Sequence, residues 1–195
     1  MIIGSRRSEK AEETAGELTS FLKERGVDAR IRGMDNGSAI EASDIVVLSI
    51  PYKFIESMTV DLKESYSDQI VVSPMVPMTR VEKHFEYTPP AQGSAALKVK
   101  DQLPPSVKVV AAFHTISYAA LQDLDRTIGG DVVIAGDDPE SKEVAANLVR
   151  IIKDLRPLDG GPLKVAAQVE GLTPLLLNIS RLNKVKNAGI CVVKC

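Results

Sequence analysis

Gln69–Met78 reads QIVVSPMVPM, an apolar run that ends in a serine and a proline-containing turn. A second stretch of the same kind, DIVVLSIP, covers Asp44–Pro51. Continuous apolar runs of this length are typical of parallel strands that are covered on both faces. Proline ends such a run because it cannot donate a ladder hydrogen bond. The two stretches therefore predict parallel strands of one α/β sheet.

Helical patterns alternate with apolar runs along the rest of the chain. Ser8–Arg25 carries apolar residues at helical spacing, and Gly26 suits the end of that helix. Further strands are predicted at Met1–Gly4, Val27–Arg32, Lys108–Ser117, Asp131–Gly136 and Arg156–Asp159, and further helices at Tyr52–Ser65, Ser94–Leu103, Pro139–Lys153 and Leu163–Asn183. We expect Val81–Gln92 to form a polar loop and Pro174 to kink or interrupt the last helix. This alternation predicts an open, mostly parallel α/β sheet followed by a small C-terminal helical part.

Composition excludes several classes of protein. The 195 residues carry a formal charge of −2, so no overall basic field attracts nucleic acid or membrane surfaces. No apolar run approaches the ~20 residues of a membrane span, and the first residues lack the apolar core of a secretory signal. We therefore expect a cytoplasmic protein. Cys191 and Cys195 lie in CVVKC, where a strand would hold them about 13 Å apart, so we expect reduced structural thiols and no metal site.

The segment GSRRSEK follows the first predicted strand and opens the first helix. A helix N-terminus carries partial positive charge, so Arg6 and Arg7 are unfavourable there unless an anion binds. Lys10 lies one turn further on and can face the same point. In dinucleotide-binding folds an arginine at the end of the second strand accommodates the 2′-phosphate of NADP, whereas NAD selects an acidic residue. The alternative is that Ser5 or Ser8 caps the helix beside solvated arginines.

Three further segments, SIPY, SPMVPM and AFHTIS, lie at or just past predicted strand ends. In open α/β sheets such ends converge on one ligand-binding crevice. The prolines either stiffen this edge for a planar ring or simply end the strands. His114 either donates a hydrogen bond or moves a proton in the crevice, or is a satisfied core histidine. We expect His84 on the surface, and Asp137 and Asp138 as caps of the following helix.

Seven segments, in order along the chain, resemble the F420-dependent NADP oxidoreductases of archaea and actinobacteria. They are GSRRSEKA, VVLSIPY, IVVSPMVPM, VVAAFHTI, GDDPESKE, LRPLDGGPL and EGLTPLLLNISRLNKVKNAGI. The resemblance implies a Rossmann-like fold and an enzyme that transfers a hydride between the deazaflavin of coenzyme F420 and the nicotinamide of NADP. It divides the chain into a dinucleotide-binding domain, residues 1–136, and a part completing the deazaflavin site, residues 137–195. It also implies a homodimer built through C-terminal helices, here Leu172–Leu182, although burial of this apolar helix within one chain accounts for its sequence equally well. Small-molecule cofactors are the other partners.

The resemblance also assigns cofactor-binding positions. In chain order these are Ser5, Arg6, Lys10, Ile50, Pro51, Tyr52, Val76, Pro77, His114, Thr115, Ile116 and Thr173. Ser5, Arg6 and Lys10 match a clamp on the 2′-phosphate of NADP. Ile50, Pro51 and Tyr52 match a segment that passes its ribose and pyrophosphate, and Val76 and Pro77 match the loop near the nicotinamide. His114, Thr115 and Ile116 match the deazaflavin contact, with His114 as a hydrogen-bond donor. Thr173 matches a hydroxyl near hydride transfer, and no residue is expected to act as a catalytic acid or base.

The chain departs from the family pattern at three places. Ser117 stands where relatives have proline, and Gly171 replaces a serine, which removes one hydroxyl near the deazaflavin. The strand and G-x-G-x-x-G turn that precede GSRR in the family are not found in the sequence. We therefore expect an N-terminally incomplete sheet whose two flanking strands either close on each other or leave open edges. We also expect weak NADP binding, because such a turn brings helix amides to the pyrophosphate.

Two alternatives to the F420-dependent enzyme stay open. One is another NADP-dependent reductase of the same superfamily, of the imine or pyrroline-carboxylate type. The other is a non-catalytic remnant that cannot hold NADP, for which the missing glycine turn is the best support.

Overall fold

Strands and helices alternate in the computed structural model, which describes residues 1–124 and 127–194. The strands are β1 Ile2–Ser5, β2 Arg32–Asp35, β3 Ile45–Val47, β4 Ile70–Ser73, β5 Met78–Val81, β6 His84–Tyr87, β7 Lys108–Ala111, β8 Gly130–Gly136 and β9 Leu155–Gly161. The helices are α1 Ser8–Lys23, α2 Asn36–Glu41, α3 Ile55–Thr59, α4 Ala95–Gln102, α5 Tyr118–Leu121, α6 Pro139–Ile151 and α7 Ala166–Asn183. The predicted α/β class is confirmed.

The main sheet has five strands in the order β3-β4-β7-β8-β9. All neighbours in it are parallel except β7 and β8. The carboxyl ends of β3, β4 and β7 therefore share one edge of the sheet. Because β8 runs the other way, its first residues, and those of β9 beside it, reach that same edge. The mostly parallel sheet that was predicted is confirmed, with one antiparallel pairing added.

The two central strands of the main sheet are covered on both faces. Val71 of β4 packs into a core cluster with residues of α4 and α7, whereas its neighbour Val72 packs into a second cluster with residues of α6. Both side chains are fully buried. The strands can be continuously apolar because helices cover both sides, as the sequence indicated.

The pair β1–β2 forms a separate parallel sheet, and its register differs from the prediction. A strand was predicted over Val27–Arg32, but the observed strand is Arg32–Asp35. Helix α1 crosses this strand so closely that a Cβ on Gly33 would lie 2.2 Å from the backbone of Ala11. Close packing against α1 sets the position of this strand, because only glycine allows the contact.

Strands β1 and β3 each pair on one side only within the described residues. Ile45 and Val47 of β3 are 37% and 46% exposed. Of the two outcomes expected for an incomplete sheet, open edges are the one observed.

Other local predictions need correction. Val81–Gln92 is not wholly a loop, because β5 and β6 form an antiparallel hairpin that begins at Met78. The helix expected over Tyr52–Ser65 is broken into α3 and flanking 3₁₀ turns. Helix α7 continues through Pro174 without interruption. Within the described residues no strand forms in the CVVKC segment, and no helix is long and apolar enough to cross a bilayer.

Candidate active site at the carboxyl edge of the sheet

Three segments predicted to bind cofactors follow adjacent strands. Ile50–Tyr52 follows β3, Val76 and Pro77 follow β4, and His114 follows β7. Since these strands are neighbours and parallel, the segments meet at one edge. The backbone of Met75 is close enough to His114 to act on the pKa of its imidazole, which places the second and third segments in contact.

We call Ser5, Arg6 and Lys10 the N-terminal cluster. Arg7 occupies the N-cap position of α1, and no side chain of the described residues caps this helix. Neither Ser5 nor Ser8 is a cap, so the capping alternative is wrong. The free amide groups and the positive end of the helix dipole leave α1 suited to an anion. The Lys10 Nζ pairs with Glu13 at 2.8 Å, with both side chains more than half exposed.

Arg6 connects the N-terminal cluster to the segment after β3. Its guanidinium lies 5.7 Å from the ring centroid of Phe54, two residues after Tyr52. Ile50 and Tyr52 are half-buried and pack against the core, whereas Pro51 is exposed. The arginine and the half-buried pair thus line neighbouring parts of one surface.

We call Phe113–Ser117 the histidine loop. Phe113 has a φ of 71°, which is costly for a residue with a bulky side chain. Hydrogen bonds from two sides hold the loop. The Thr173 hydroxyl donates to the His114 carbonyl at 2.7 Å, and the Thr115 hydroxyl donates to the Asp131 carbonyl at 2.7 Å. Both threonine hydroxyls assigned to the site are therefore engaged in fixing its shape.

The His114 imidazole is buried, and neither ring nitrogen has a hydrogen-bond partner among the described residues. Burial lowers the pKa of His114 from 6.5 to about 4, opposed by a smaller effect of the Met75 backbone. The ring is therefore neutral at physiological pH, and both of its nitrogens are buried. Buried polar groups are usually paired, and the Met75 backbone acts on the pKa of the imidazole as a hydrogen-bonding group would. Both readings of His114, as a core residue and as a ligand contact, therefore stay predictions.

Comparison with known proteins agrees with this arrangement. Residues 1–77 match the family described as NADP oxidoreductase, coenzyme F420-dependent. The F420-dependent NADP reductase of Methanocaldococcus jannaschii is 39% identical over 192 residues, which cover 97% of this chain and 86% of that protein. The enzyme of the same name from Methanothermobacter thermautotrophicus is 31% identical over 97% of this chain and 82% of its own length. The chain belongs to the F420-dependent NADP reductase family.

Solved structures support the fold. A crystal structure from Arthrobacter sp. FB24 superposes with a TM-score of 0.78 at 19% identity, over 99% of this chain and 88% of that one. A pyrroline-5-carboxylate reductase from Coxiella burnetii superposes with a TM-score of 0.53 at 18% identity, over 94% of this chain and 58% of that one. At these identities the likeness concerns architecture alone.

Helix α7 contacts the hairpin, the start of α4 and the histidine loop, through the predicted Thr173 and through Glu170, which the sequence reasoning missed. Glu170 is fully buried and accepts hydrogen bonds from the amides of Ala95 and Ala96, at the start of α4, and from the Tyr87 hydroxyl. Burial raises the pKa of Glu170 in spite of these donors. One turn later Thr173 holds the histidine loop. The signal available in the sequence was a single carboxylate in the otherwise apolar run of α7.

The hairpin that follows Pro77 is also fixed by α7. The Asn178 side chain accepts from the Phe85 amide at 2.8 Å and donates to the Phe85 carbonyl at 2.9 Å, as a neighbouring strand would. The loop carrying Val76 and Pro77 is therefore held from the same helix as the histidine loop.

The remaining polar candidates lie outside this edge. Asp138 accepts from the Ser141 amide at 2.8 Å and caps α6, as predicted. Asp137 does not cap that helix, because it accepts from the Leu163 amide and pairs with Lys100. His84 is on the surface, as predicted.

Proposed function

We propose that this chain transfers a hydride between NADP(H) and coenzyme F420. The carrying observation is the identity to F420-dependent NADP reductases along 97% of the chain, which includes each segment at the sheet edge. In the direction that reduces NADP⁺, the hydride leaves C5 of the reduced deazaflavin and bonds to C4 of the nicotinamide, and one proton is released to water. The protein contributes by placing the two rings face to face, since proximity accounts for most of the acceleration such a step needs.

The N-terminal cluster is the proposed clamp on the 2′-phosphate of NADP. Ser5 offers a hydroxyl, Arg6 a planar fork of donors, and Lys10 a charge one turn into α1. The uncapped start of α1 supports an anion at this point. Ile50, Pro51 and Tyr52 are the proposed contact with the ribose and pyrophosphate.

Val76 and Pro77 are proposed beside the nicotinamide, and His114–Ile116 beside the deazaflavin. The proposed role of the neutral imidazole of His114 is to donate its N–H to a carbonyl of that ring, which requires a ring nitrogen that is buried in this structure to become accessible. The Thr173 hydroxyl already donates to the His114 carbonyl, so its proposed role is to hold this residue in place. Residues 1–136 would thus supply the dinucleotide side, and residues 137–195 would complete the deazaflavin side.

We further propose that the protein is cytoplasmic, is of the archaeal type, and forms a homodimer. The support for the dimer is the exposed apolar face of α7, where Leu175 and Leu182 are 52% and 78% exposed. Large exposed apolar side chains on one helix are typical of protein interfaces. Light scattering should give twice the chain mass, and Leu182→Asp should shift it toward one chain. A mass of one chain for the wild type would contradict the dimer.

The activity is tested by mixing this chain with reduced F420 and NADP⁺ and following the absorbance of oxidised deazaflavin as it returns. Turnover of F420 with NADP⁺, and none of pyrroline carboxylate with NADPH, is the expected result. Turnover of the imine substrate alone would favour the other reductase class. Binding of F420 without turnover would favour the non-catalytic remnant.

The NADP clamp is tested by Arg6→Ala, with Arg25→Ala as the matched control. Arg25 is an exposed arginine of the same N-terminal region whose guanidinium lies 3.7 Å from the Phe21 ring centroid. We expect Arg6→Ala to raise the KM for NADP about tenfold and to reduce the preference for NADP over NAD, because one charged contact is lost. Equal effects of the two variants would contradict the clamp.

A further inference from the structure

Asp131, at the start of β8, joins three parts of the molecule. Its carboxylate is fully buried and accepts from Nε and Nη2 of Arg156, at 2.7 and 2.9 Å. It also accepts from the amide of Val192. Its backbone amide donates to the Ile190 carbonyl at 2.9 Å, and its carbonyl accepts from the Thr115 hydroxyl. One residue thus connects the histidine loop, β9 and the last residues of the chain.

We call residues 187–192 the C-terminal tail. Strand β8 pairs with β7 only through Ala135 and Gly136, so its first residues have no β7 partner. The tail bonds to β8 at this free stretch through Ile190. Arg156 adds a hydrogen bond from Nη2 to the Val192 carbonyl at 3.0 Å. The tail is therefore clamped onto the edge of the sheet where the site lies.

The tail also touches the histidine loop directly. The Ser117 hydroxyl donates to the Asn187 side chain at 2.8 Å. The loop begins with the left-handed Phe113, and a strained backbone persists only where surrounding contacts fix it. Thr173 supplies one such contact from α7. Asp131 and Asn187 supply the others from the opposite side.

We propose that the C-terminal tail, clamped by Asp131 and Arg156, positions the histidine loop for the deazaflavin. This inference rests on the proposed function, because it takes the ring held by that loop to be F420. Asp131, Arg156 and Asn187 are positioning residues, since they act through Thr115, Ser117 and the tail. Loss of the contacts that Asp131 and Arg156 make with the tail weakens the binding of F420. It leaves the N-terminal cluster, and with it the affinity for NADP, unchanged.

The test compares a chain ending at Lys186 with Arg156→Ala, Arg156→Lys and the control Lys142→Ala. Lys142 makes a similar ion pair with Asp159 at the far end of β9, away from the tail. We expect truncation and Arg156→Ala each to raise the KM for F420 about tenfold with little change in the KM for NADP. Arg156→Lys should restore part of the affinity because it keeps the charge but loses the two-pronged contact. The control should match the wild type.

Hydrogen exchange at the amides of residues 113–117 gives a readout that does not depend on activity. Truncation is expected to accelerate this exchange and to weaken F420 binding in a fluorescence titration, while the fold stays intact by circular dichroism. Unchanged exchange, or equal rises in KM for both cofactors, would overturn the inference. An inactive wild-type chain would contradict the proposed function alone. The titration would then still decide the role of the tail, because unchanged F420 binding on truncation would overturn it.

Discussion

The N-terminal cluster and the histidine loop line the same edge of the molecule but are built in opposite ways. In the cluster, Arg6 and Lys10 are exposed at an uncapped helix end, Ser5 is half-buried, and the ion pair Lys10–Glu13 is open to water. The histidine loop has no fully exposed residue, buries His114 and Thr115, has a strained backbone at Phe113, and is fixed by hydrogen bonds to α7, β8 and the tail.

This contrast predicts that changes in the N-terminal cluster affect ligand binding alone, whereas changes around the histidine loop also affect the stability of the fold. Exposed ion pairs contribute about 0–1 kcal/mol to stability, so the cluster can be changed with little effect on the fold. Buried polar groups cost about 1–3 kcal/mol when their partners are removed, so changes around the histidine loop affect folding and activity together. The predictions below test that division, beginning with the largest expected effect.

The largest effect concerns the pH dependence of stability through His114. Its pKa in the folded chain is about 4, below the ordinary 6.5, so the unfolded chain takes up a proton first as the pH falls. The group therefore lowers stability progressively between pH 6.5 and pH 4, by about 3 kcal/mol at the lower end. His114→Gln should remove this loss. Urea denaturation at pH 7, 5 and 4 measures it, with the exposed His84→Gln as control.

If the wild type and His114→Gln lose stability equally between pH 7 and pH 4, the imidazole is not held neutral by burial. The histidine loop would then resemble the exposed cluster, and the comparison would fail at its central residue.

A smaller loss of stability is expected for a change at Glu170, the buried carboxylate of α7. Oε2 of Glu170 accepts from the Tyr87 hydroxyl and the Ala95 amide, and Oε1 accepts from the Ala96 amide. In Glu170→Gln one of these oxygens becomes an NH₂ group, which faces at least one backbone amide donor in either orientation. We expect a loss of about 2 kcal/mol in the free energy of unfolding. Glu143→Gln, at an exposed carboxylate paired with Arg150, is the matched control, with an expected change below about 0.5 kcal/mol. Similar values for the two would show that α7 does not depend on this carboxylate.

Thr173→Val isolates a single hydrogen bond to the histidine loop. The loss of the donor to the His114 carbonyl should reduce stability by about 1 kcal/mol and lower the rate of hydride transfer several-fold. Thr19→Val removes a bond of the same length, from the Thr19 hydroxyl to the Ala15 carbonyl in α1, away from the loop. This control should lose comparable stability and no activity. A wild-type rate of hydride transfer in Thr173→Val would show that this hydroxyl is not needed to position the histidine loop.

The smallest effect is expected within the N-terminal cluster. Glu13 competes with any phosphate for Lys10, so Glu13→Gln should lower the KM for NADP about twofold, and Lys10→Gln should raise it by a similar factor. Neither change should alter the free energy of unfolding measurably. A stability loss in either variant would mean that the exposed pair supports the fold, against the division drawn above.

The main sheet could be predicted because its signal is local and strong. The runs around Val71 and Val110 are apolar throughout, as expected of strands buried on both faces. The similar run around Val46 also forms a strand, but the expectation that both of its faces are covered is wrong, because Ile45 and Val47 are exposed at the edge of the sheet. The site was predictable to the extent that it follows those strands. Sequence patterns located His114, but they could not show that its ring lacks partners, which depends on contacts distant in the chain.

The elements that were missed owe their form to tertiary contacts. Strand β5 of the hairpin has no alternation in burial, β6 alternates over only four residues, and Asn178 of α7 fixes β6. Strand β2 is placed by the close approach of α1 at Gly33 rather than by the alternating residues before it. No position was predicted for the tail, which is held partly through the side chains of Asp131 and Arg156. None of these partners is near in sequence.

The open edges of β1 and β3 have a thermal consequence. Within the described residues no backbone hydrogen bond joins the β1–β2 pair to the main sheet, so α1, β1 and β2 can open as one sub-global step while the five-stranded sheet stays intact. A phosphate-bearing ligand on the N-terminal cluster would oppose that step by mass action. On heating, the hold on such a ligand would be lost before the deazaflavin side melts. The protein would then keep a folded deazaflavin side after the part that holds the phosphate-bearing ligand has unfolded.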